Sequence, residues 1–484
     1  MYDVIIIGAG FAGLTAARTI LKTASNARVL VLEAQTRLGG RCLTSRDFAG
    51  PVDVGCSWIH GYREGSVVRE LTDELGVKCF VPNKGKSCMI FGSKVLDADL
   101  ATKLSKNMSK ALSTAASTAS ADIATSLASS LLAPSSPLFG ALDSSSEQHL
   151  AKSLARTLEI GMGVQLEEVS LSCFGYEDSA KGTDAAIVGG YDTLIQKLAE
   201  EIKKMGGEIR LGSKAQDLAA EEGSDTSVSL NIVAQNDAQR ASSRLVISTI
   251  PLSLLQKNRS ELFKALSPRK LHAIDNVHVG KLGKLVISYE NAWWPTDTGV
   301  FTVLPTEDDS VSTGSPENRL HDLFRSVPLV VSSFAIRSAP DDVQPPPSTH
   351  PTLLIYIPVP IVAEIEGQSA SEVGQAMHGY LAESLPKEGV VPEGPRQSVL
   401  TNWAHDPYAL GATSTPLTIK SVSAGISPTS FIELGRPESL GADDGKPRVL
   451  FAGEHTSVNN RGSVTGAVES GLREGRRAAQ LLDL

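Results

Sequence analysis

Three glycines near the N-terminus have the spacing of a dinucleotide-binding turn. Gly8, Gly10 and Gly13 follow a short β-branched strand, 3–7, and open a helix predicted over 11–23. In such a turn the first glycine bends the chain, the second lets backbone N–H groups approach a pyrophosphate, and the third lets the helix pack closely on the strand. Because the N-terminus of the helix then faces the negative charge, the turn predicts binding of a dinucleotide.

An acidic residue lies where such a turn requires one. Glu33 comes twenty residues after Gly13, at the end of a second predicted strand, 28–33. A carboxylate at this place can accept hydrogen bonds from both ribose hydroxyls and would repel a 2′-phosphate. The strand, the spacing and the acid together favour a nucleotide site over a glycine-rich surface turn, although FAD and NAD sites share this pattern.

Motifs further along the chain separate these two cofactors. Residues 37–41 read Arg-Leu-Gly-Gly-Arg and add backbone N–H groups and a guanidinium that can bind phosphate. Residues 55–61 read Gly-Cys-Ser-Trp-Ile-His-Gly, and residues 450–456 and 466–471 read Leu-Phe-Ala-Gly-Glu-His-Thr and Gly-Ala-Val-Glu-Ser-Gly. With these motifs, which span most of its length, the chain resembles the flavin amine oxidase superfamily of monoamine oxidases, polyamine oxidases and lysine-specific histone demethylases. The resemblance implies FAD rather than NAD.

The resemblance also implies which residues hold the cofactor. Glu33 would bind the adenosine ribose, Arg41 the phosphates, and Trp403, in a Trp-x-x-Asp-Pro segment, would pack near the isoalloxazine. The backbone of Ala215 falls near the position that meets adenine. The implied cofactor-binding set is Gly8, Gly10, Gly13, Glu33, Arg41, Gly55, Ser57, Trp58, Ala215, Trp403, Gly453, Glu454, Ser463 and Val464.

Two residues are implied to take part in the reaction. Residues 280–284 read Gly-Lys-Leu-Gly-Lys, and the tryptophan ten residues beyond selects Lys284 over Lys281 as the lysine that holds a water beside the flavin ring. An amine there can position water and assist proton movement. His60 lies in a Trp-Ile-His-Gly form that resembles polyamine oxidases acting on spermine or acetylated polyamines, where it would face the substrate amine. The competing interpretations are a solvated lysine ahead of a strand and a histidine satisfied within its loop.

The chain departs from the superfamily around the substrate. Thr413 stands where a tyrosine usually flanks the amine, and Ser463 occupies the second position of this aromatic cage. We expect both residues, with His60, to contact the substrate across an incomplete aromatic wall. Cation–π stabilisation of about 0.5–2 kcal/mol would be lost unless another aromatic side chain reaches the site.

These assignments predict an FAD-dependent oxidase of amines, with polyamines or acetylated polyamines as the first candidates. Oxidation of the carbon next to nitrogen, with O2 as acceptor, would release an aldehyde, a shortened amine and H2O2. Ala412 stands where monoamine oxidases carry the cysteine that tethers the flavin, so non-covalent FAD is expected. Two other functions stay open. One is an L-amino-acid oxidase or another flavin dehydrogenase of the superfamily, with Arg325 or Arg337 binding a carboxylate, and the other is a flavin-binding interaction protein without catalysis.

Composition limits the partners. Lysine plus arginine number 45 against 54 acidic residues, and this charge of −9 gives no basic field to attract nucleic acid or anionic lipid. The five cysteines include no Cys-x-x-Cys pair, which argues against a zinc site and for a reducing compartment. No apolar run is long enough to span a membrane and no targeting segment is evident, so we expect a cytoplasmic protein whose partners are a small amine and O2, without a metal.

The hydrophobic pattern predicts an α/β fold. A Rossmann-type FAD-binding domain of the amine oxidase kind would accompany a second, mixed α+β substrate domain. A helix is predicted over 191–204 and a closing helix over 462–482. The expected FAD-binding segments are 1–85, 186–275 and 411–484, and the expected substrate-domain segments are 86–185, with a helical Ala/Ser-rich insertion, and 276–410.

Overall fold

Two seven-stranded β-sheets, counted over the described residues, organise the chain. The computed structural model describes residues 1–82, 85–118, 122–177, 182–221, 227–234, 237–306, 319–336, 349–441 and 445–483. The strands are β1 (Tyr2–Ile7), β2 (Val29–Leu32), β3 (Thr44–Ser45), β4 (Val52–Asp53), β5 (Ile59–Tyr62), β6 (Cys79–Phe80), β7 (Lys86–Phe91), β8 (Lys94–Val95), β9 (Thr183–Ile187), β10 (Glu208–Arg210), β11 (Lys214–Ala220), β12 (Val228–Ala234), β13 (Asp237–Ser248), β14 (Val279–Gly280), β15 (Gly283–Ser288), β16 (Thr298–Leu304), β17 (Leu329–Ser333), β18 (Thr352–Ile357), β19 (Gln397–Leu400), β20 (Thr413–Ser414) and β21 (Val449–Phe451). The helices are α1 (Phe11–Thr23), α2 (Val67–Glu74), α3 (Ala98–Ser117), α4 (Leu127–Leu131), α5 (Ser145–Arg156), α6 (Leu158–Met162), α7 (Tyr191–Lys204), α8 (Leu252–Leu262), α9 (Pro268–Asn276), α10 (Arg319–Arg325), α11 (Val359–Ile365), α12 (Ala370–Ser384), α13 (Ile419–Ser423), α14 (Ser430–Gly435) and α15 (Val464–Leu481).

The first sheet has the parallel centre that its apolar strands predict. Its order is β10-β2-β1-β13-β12-β11, and β21 pairs with β13 in parallel. Ile5 at the centre of β1 pairs in parallel with Leu30 of β2 and Val246 of β13, and all three are fully buried. Strands covered on both faces read as continuous apolar runs, which is the pattern of 3–7. The α/β, Rossmann-type fold class expected for this part of the chain is confirmed.

Small residues let two helices approach each other on this sheet. A Cβ added to Gly471 of α15 would lie 2.4 Å from the carbonyl oxygen of Ala12, and one added to Gly475 would lie 2.7 Å from Thr19 Cβ. Because these glycines have no side chains, α15 can pack directly along α1. The C-terminal helix is thereby placed against the first turn of the chain.

The second sheet has the order β19-β15-β18-β17-β16-β7-β8. One of its faces packs against α10, α11 and α12 over a core that includes the fully buried Phe301, Val331 and Ile355. The Ala/Ser-rich stretch forms α3, which Asp97 caps by accepting hydrogen bonds from the backbone N–H groups of Asp99 and Leu100. Helices α3–α5 share a separate core. The mixed α+β part of the expected fold is confirmed.

Strand β13 begins at Asp237, and its first half pairs with β12 in an antiparallel ribbon. Strand β15 begins at Gly283, so that Lys284 lies within the strand and not ahead of it. Strand β9 pairs with both β5 and β6.

In the described part of the chain, no helix combines the length and the apolar character that crossing a membrane requires. No three of its His, Cys, Asp and Glu side chains cluster as the ligands of a metal ion would.

Packing at Gly13 predicts a large effect of one methyl group. A Cβ on Gly13 would lie 2.0 Å from the carbonyl oxygen of Gly8 and 3.3 Å from Ile6 Cγ2. The Gly13→Ala variant must therefore push α1 away from β1, and we expect its free energy of unfolding to fall by about 1–3 kcal/mol. Gly161→Ala is the matched control, since a Cβ there meets nothing within 4 Å. Thermal unfolding measures both variants, and equal melting temperatures would contradict the packing argument.

Candidate active site

A cleft of about 540 Å³ opens at the carboxyl ends of the parallel strands β1, β2, β13 and β21. The chain enters its lining just after each of these strands, at Gly8, Glu33, Thr249 and Gly453. Ligands bind at this edge of open α/β sheets because the diverging connections leave a crevice there. The predicted cofactor-binding residues that line the cleft are Gly8, Gly10, Glu33, Arg41, Gly55, Ala215, Trp403, Gly453, Glu454, Ser463 and Val464.

The first turn has the backbone geometry that its glycines predict. Gly8 has a φ of +109°, and a Cβ on it would lie 2.3 Å from Thr249 Oγ1. A Cβ on Gly10 would meet the Gly39 carbonyl oxygen at 3.9 Å, because Gly10 faces the open cleft. Backbone N–H groups at the start of α1 can therefore approach a bound phosphate. Gly13 lies behind this lining and serves the packing of α1.

Glu33 is held at the end of β2 by backbone hydrogen bonds. Its carboxylate accepts from the N–H of Ala9 at 2.8 Å and from the N–H of Gln35 at 2.9 Å. Burial raises the pKa of Glu33, while these two hydrogen bonds oppose the shift. Each oxygen retains a lone pair that can accept from a ribose hydroxyl. The position fits the role that the sequence predicted.

A buried ion pair joins the two ends of the chain. Glu454 Oε1 lies 2.8 Å from Arg41 Nη1, and Glu454 Oε2 accepts from the Gly462 N–H at 2.7 Å and from the Ser414 hydroxyl. Arg41 Nη1 also donates to the Ala412 carbonyl at 2.9 Å. Burial would raise the pKa of Glu454, but Arg41 and its other partners outweigh burial and lower that pKa to about 2. The pair therefore stays charged over the whole working range of pH.

Lys284 projects from β15 to the turn around Gly55. Its ammonium donates to the carbonyl oxygens of Asp53 at 3.1 Å and Gly55 at 2.5 Å, and to Ser57 Oγ at 2.6 Å. Only 4% of Lys284 is exposed, and burial lowers its pKa to about 8, although Asp53 opposes the shift. Lys281 is exposed, so the geometry agrees with the choice that the tryptophan spacing favoured.

The other predicted residues divide between the cleft and its surroundings. Thr413 and Ser463 line the cleft, and Ser463 also caps α15 by accepting from the Gly466 N–H at 3.1 Å. Ser57 lies behind the lining, and its hydroxyl accepts a hydrogen bond from Lys284, which lines the cleft. Trp58 likewise lies behind the lining, and its indole donates to the Tyr356 hydroxyl at 3.2 Å.

His60 lies further from the cleft than the resemblance implied. Its side chain is 53% exposed, and Nδ1 is 2.9 Å from Oδ1 of Asp184. The ring sits on β5, beyond Trp58 and outside the cleft lining. Its role in substrate binding stays a prediction.

The structure adds two residues that the sequence did not single out. Asp53 accepts from the Thr44 hydroxyl at 2.5 Å and the Tyr191 N–H at 3.0 Å, and burial raises its pKa to about 6 beside Lys284. The ring centroid of Tyr356 lies 5.5 Å from Lys284 Nζ. Asp53 lies two residues before Gly55, so the motif that begins at Gly55 could have pointed to it. Tyr356 could not have been found in this way, because the sequence of β18 does not indicate which strand it pairs with.

A comparison with known families decides the family of the chain. The family described as "Flavin containing amine oxidoreductase" matches residues 11–479. The chain belongs to this family. The match begins just after Gly8 and Gly10 of the glycine turn, and it includes the strand of Lys284 and the start of the C-terminal helix.

Individual relatives of this flavin amine oxidoreductase are distant. Probable polyamine oxidase 4 of Arabidopsis thaliana is 24% identical, over 97% of this chain and 85% of the relative. Polyamine oxidase 4 of Oryza sativa subsp. japonica is 26% identical, over 97% and 87%. Lysine-specific histone demethylase 2 of Homo sapiens is 27% identical, over 99% of this chain but 53% of the relative.

The cleft fits the FAD cofactor of this family. The open glycine turn suits a pyrophosphate, Glu33 suits a ribose, and the cleft volume lies in the range of sites for small organic ligands. Ser463 and Val464, at the N-terminus of α15, bring a positive helix end to the same cleft. FAD is the cofactor of the chain and is bound without a covalent tether, since Ala412 has no thiol.

Non-covalent binding predicts that denaturation frees the flavin. We expect acid precipitation of the yellow holoprotein to leave a colourless pellet and a soluble flavin with the spectrum of free FAD. The measurement is absorbance of supernatant and redissolved pellet. Flavin that stays with the pellet would show a covalent bond, and Cys42 and Cys56, which both line the cleft, would then be the thiols to map.

Proposed function

We propose that this flavoprotein oxidises polyamines or acetylated polyamines at a carbon next to nitrogen and uses O2 as acceptor. The products are an aldehyde, a shortened amine and H2O2. The observation that carries the proposal is the buried Lys284, whose ammonium contacts the turn of Gly55 and Ser57 from a strand of the other sheet. The polyamine oxidases among the relatives support the substrate class.

The reaction requires a neutral amine and an acceptor for a hydride equivalent. FAD, when bound in the cleft, would supply the acceptor, with O2 as the final oxidant. An aliphatic amine must lose its proton before its lone pair can assist, and burial in the cleft favours the neutral form. Lys284, with a pKa lowered to about 8 by burial, can hold or release a proton at Nζ near neutral pH. Asp53 beside it keeps the protonated form accessible.

The other two functions receive less support. A carboxylate-binding arginine would have to reach the cleft, but Arg325 is exposed at the end of α10 and Arg337 lies outside the described residues. A protein that only binds flavin has no need of a buried lysine, which costs free energy of folding. The human relative is named a histone demethylase, so a methylated lysine side chain is a substrate to compare.

A panel of amines tests the proposed function. We expect H2O2 release with spermine, spermidine or their acetylated forms, at a rate at least about tenfold above that with L-amino acids or an N-methyllysine peptide. A peroxide assay coupled to O2 consumption measures this. Peroxide formed only with L-amino acids or the peptide would replace the proposal, and no peroxide with any compound would remove it.

The Lys284→Met variant should separate the lysine from cofactor binding. We expect FAD to stay bound, because Lys284 contacts protein groups in the cleft, while reoxidation by O2 slows by about 10²–10⁴-fold. In the wild type this rate should fall as the pH rises through about 8, where Lys284 loses its proton and positive charge, and the dependence should vanish in the variant. Stopped-flow absorbance measures both, with Lys281→Met as the exposed matched control. Unchanged reoxidation in Lys284→Met would reject the assignment.

A further inference from the structure

Two cysteines face each other beside the turn of Gly55. The backbone N–H groups of Val54 and Gly55 both donate to the Leu43 carbonyl, at 2.9 and 3.0 Å. Two residues thus lie opposite one, which makes a bulge in the antiparallel pair that β3 and β4 begin. One position further along, Cys56 lies opposite Cys42, and the Cys56 N–H donates to the carbonyl just before Cys42 at 3.3 Å. We call Cys42 and Cys56 the thiol pair.

The backbone spacing of the thiol pair suits a disulfide. Residues directly opposite each other in antiparallel segments have Cα atoms about 4.5–5.5 Å apart, within the range of about 4.4–6.8 Å that a disulfide spans. All five cysteines of the chain are free thiols in the structure. The pair is therefore reduced, and its two segments already have the separation that the oxidised form requires.

Both members of the thiol pair border the cofactor cleft. Cys42 and Cys56 line this cleft together with Lys284. Cys42 is 9% exposed and Cys56 is half-buried. Burial and the neighbouring Cys42 thiol raise the pKa of Cys56 well above its ordinary value, while Lys284 opposes the shift. The two thiols are thus close enough to interact, and both are reached from the same open space.

The other three cysteines lie apart from the cleft lining. Cys88 packs against the core of the second sheet, and Cys173 packs against a core of the first sheet. Cys79 lies on β6, where burial raises its pKa. The thiol pair accounts for both cysteines of the lining, so a reagent that enters the cleft meets these two thiols together.

We propose that Cys42 and Cys56 are an oxidation site in the wall of the cofactor cleft, which a peroxide converts to a disulfide when FAD is absent and which bound FAD covers. One thiol and H2O2 give a sulfenic acid and water. The second thiol then attacks the oxidised sulfur, a second water leaves, and the sulfur–sulfur bond forms. The sulfurs supply the two electrons that reduce the peroxide. This inference goes beyond the oxidation of amines, because any source of peroxide can supply the oxidant.

The dependence on FAD follows from the place of the pair. Oxidation of a thiol requires access of the peroxide and a supply of thiolate. Because both thiols line the cleft that fits FAD, the bound cofactor would exclude the peroxide from them. The disulfide should therefore mark chains that have lost their cofactor.

Peptide mapping tests the oxidation site. Trypsin cuts after Arg46 and so separates the peptides 42–46 and 47–63, which carry one cysteine each. Holoprotein and protein stripped of FAD with potassium bromide are treated with H2O2, quenched with catalase, blocked with N-ethylmaleimide in denaturant and digested without reductant. We expect the two peptides to become linked in the stripped protein, and to do so at least about tenfold more slowly when FAD is bound. Adding FAD back before the peroxide should restore the slow rate.

Serine variants assign the linkage to the thiol pair. Cys56→Ser should abolish the linked peptide, and Cys42→Ser is the second variant if Cys56→Ser does not retain its fold. Cys88→Ser is the matched control, because Cys88 is likewise half-buried and burial also raises its pKa, but it lies on β7 outside the cleft lining. We expect the control to form the linkage as the wild type does.

The outcomes separate this inference from the proposed function. No linked peptide in the stripped protein, or a linkage of either thiol to a different cysteine, would overturn the oxidation site. Equal rates with and without FAD would overturn its position under the cofactor. Since the peroxide is added and no amine is present, an inactive amine panel would leave the site standing, and failure of the linkage would leave the oxidase proposal standing.

Discussion

One buried ion pair holds the cofactor cleft together. Glu454 and Arg41 belong to opposite ends of the chain, and their 2.8 Å contact is completed by Gly462 and Ser414. Burying a carboxylate without partners costs several kcal/mol, and partly buried Arg41 and the neighbouring donors offset that cost for Glu454. The segment of Arg41, the strand before Glu454 and the turn of Gly462 ahead of α15 therefore meet at this pair. The cleft for FAD opens beside it, since Arg41, Glu454 and Gly462 all line the cleft.

The second sheet meets the cleft at Lys284. The ammonium of Lys284 donates to acceptors in residues 53–57 of the first part of the chain. A lysine buried in this way favours loss of its proton, while Asp53, fixed by Thr44 and the start of α7, favours retention. These two opposing effects leave the pKa of Lys284 at about 8, close to neutral pH. A group with such a pKa can both donate and accept a proton in that range.

The side chains predicted to contact the substrate are where the chain departs from the superfamily pattern. The family's aromatic wall is absent at Thr413 and Ser463, although both residues line the cleft as the motif predicts. Tyr356 brings an aromatic ring to Lys284 from a different strand.

Local motifs determined much of this protein in advance. The bounds of α1 and α7 agree with 11–23 and 191–204, and the glycine turn, Glu33, Arg41 and Glu454 lie where their motifs placed them, because each depends on residues a few positions apart. Pairing between distant strands has no such local signal. Only the tertiary structure could show that Tyr356 and Asp53 lie beside Lys284 and that His60 pairs with Asp184 on the surface. These relations arise from sheet register and domain contact, where the energy comes from burial between segments hundreds of residues apart and not from the preference of any one segment.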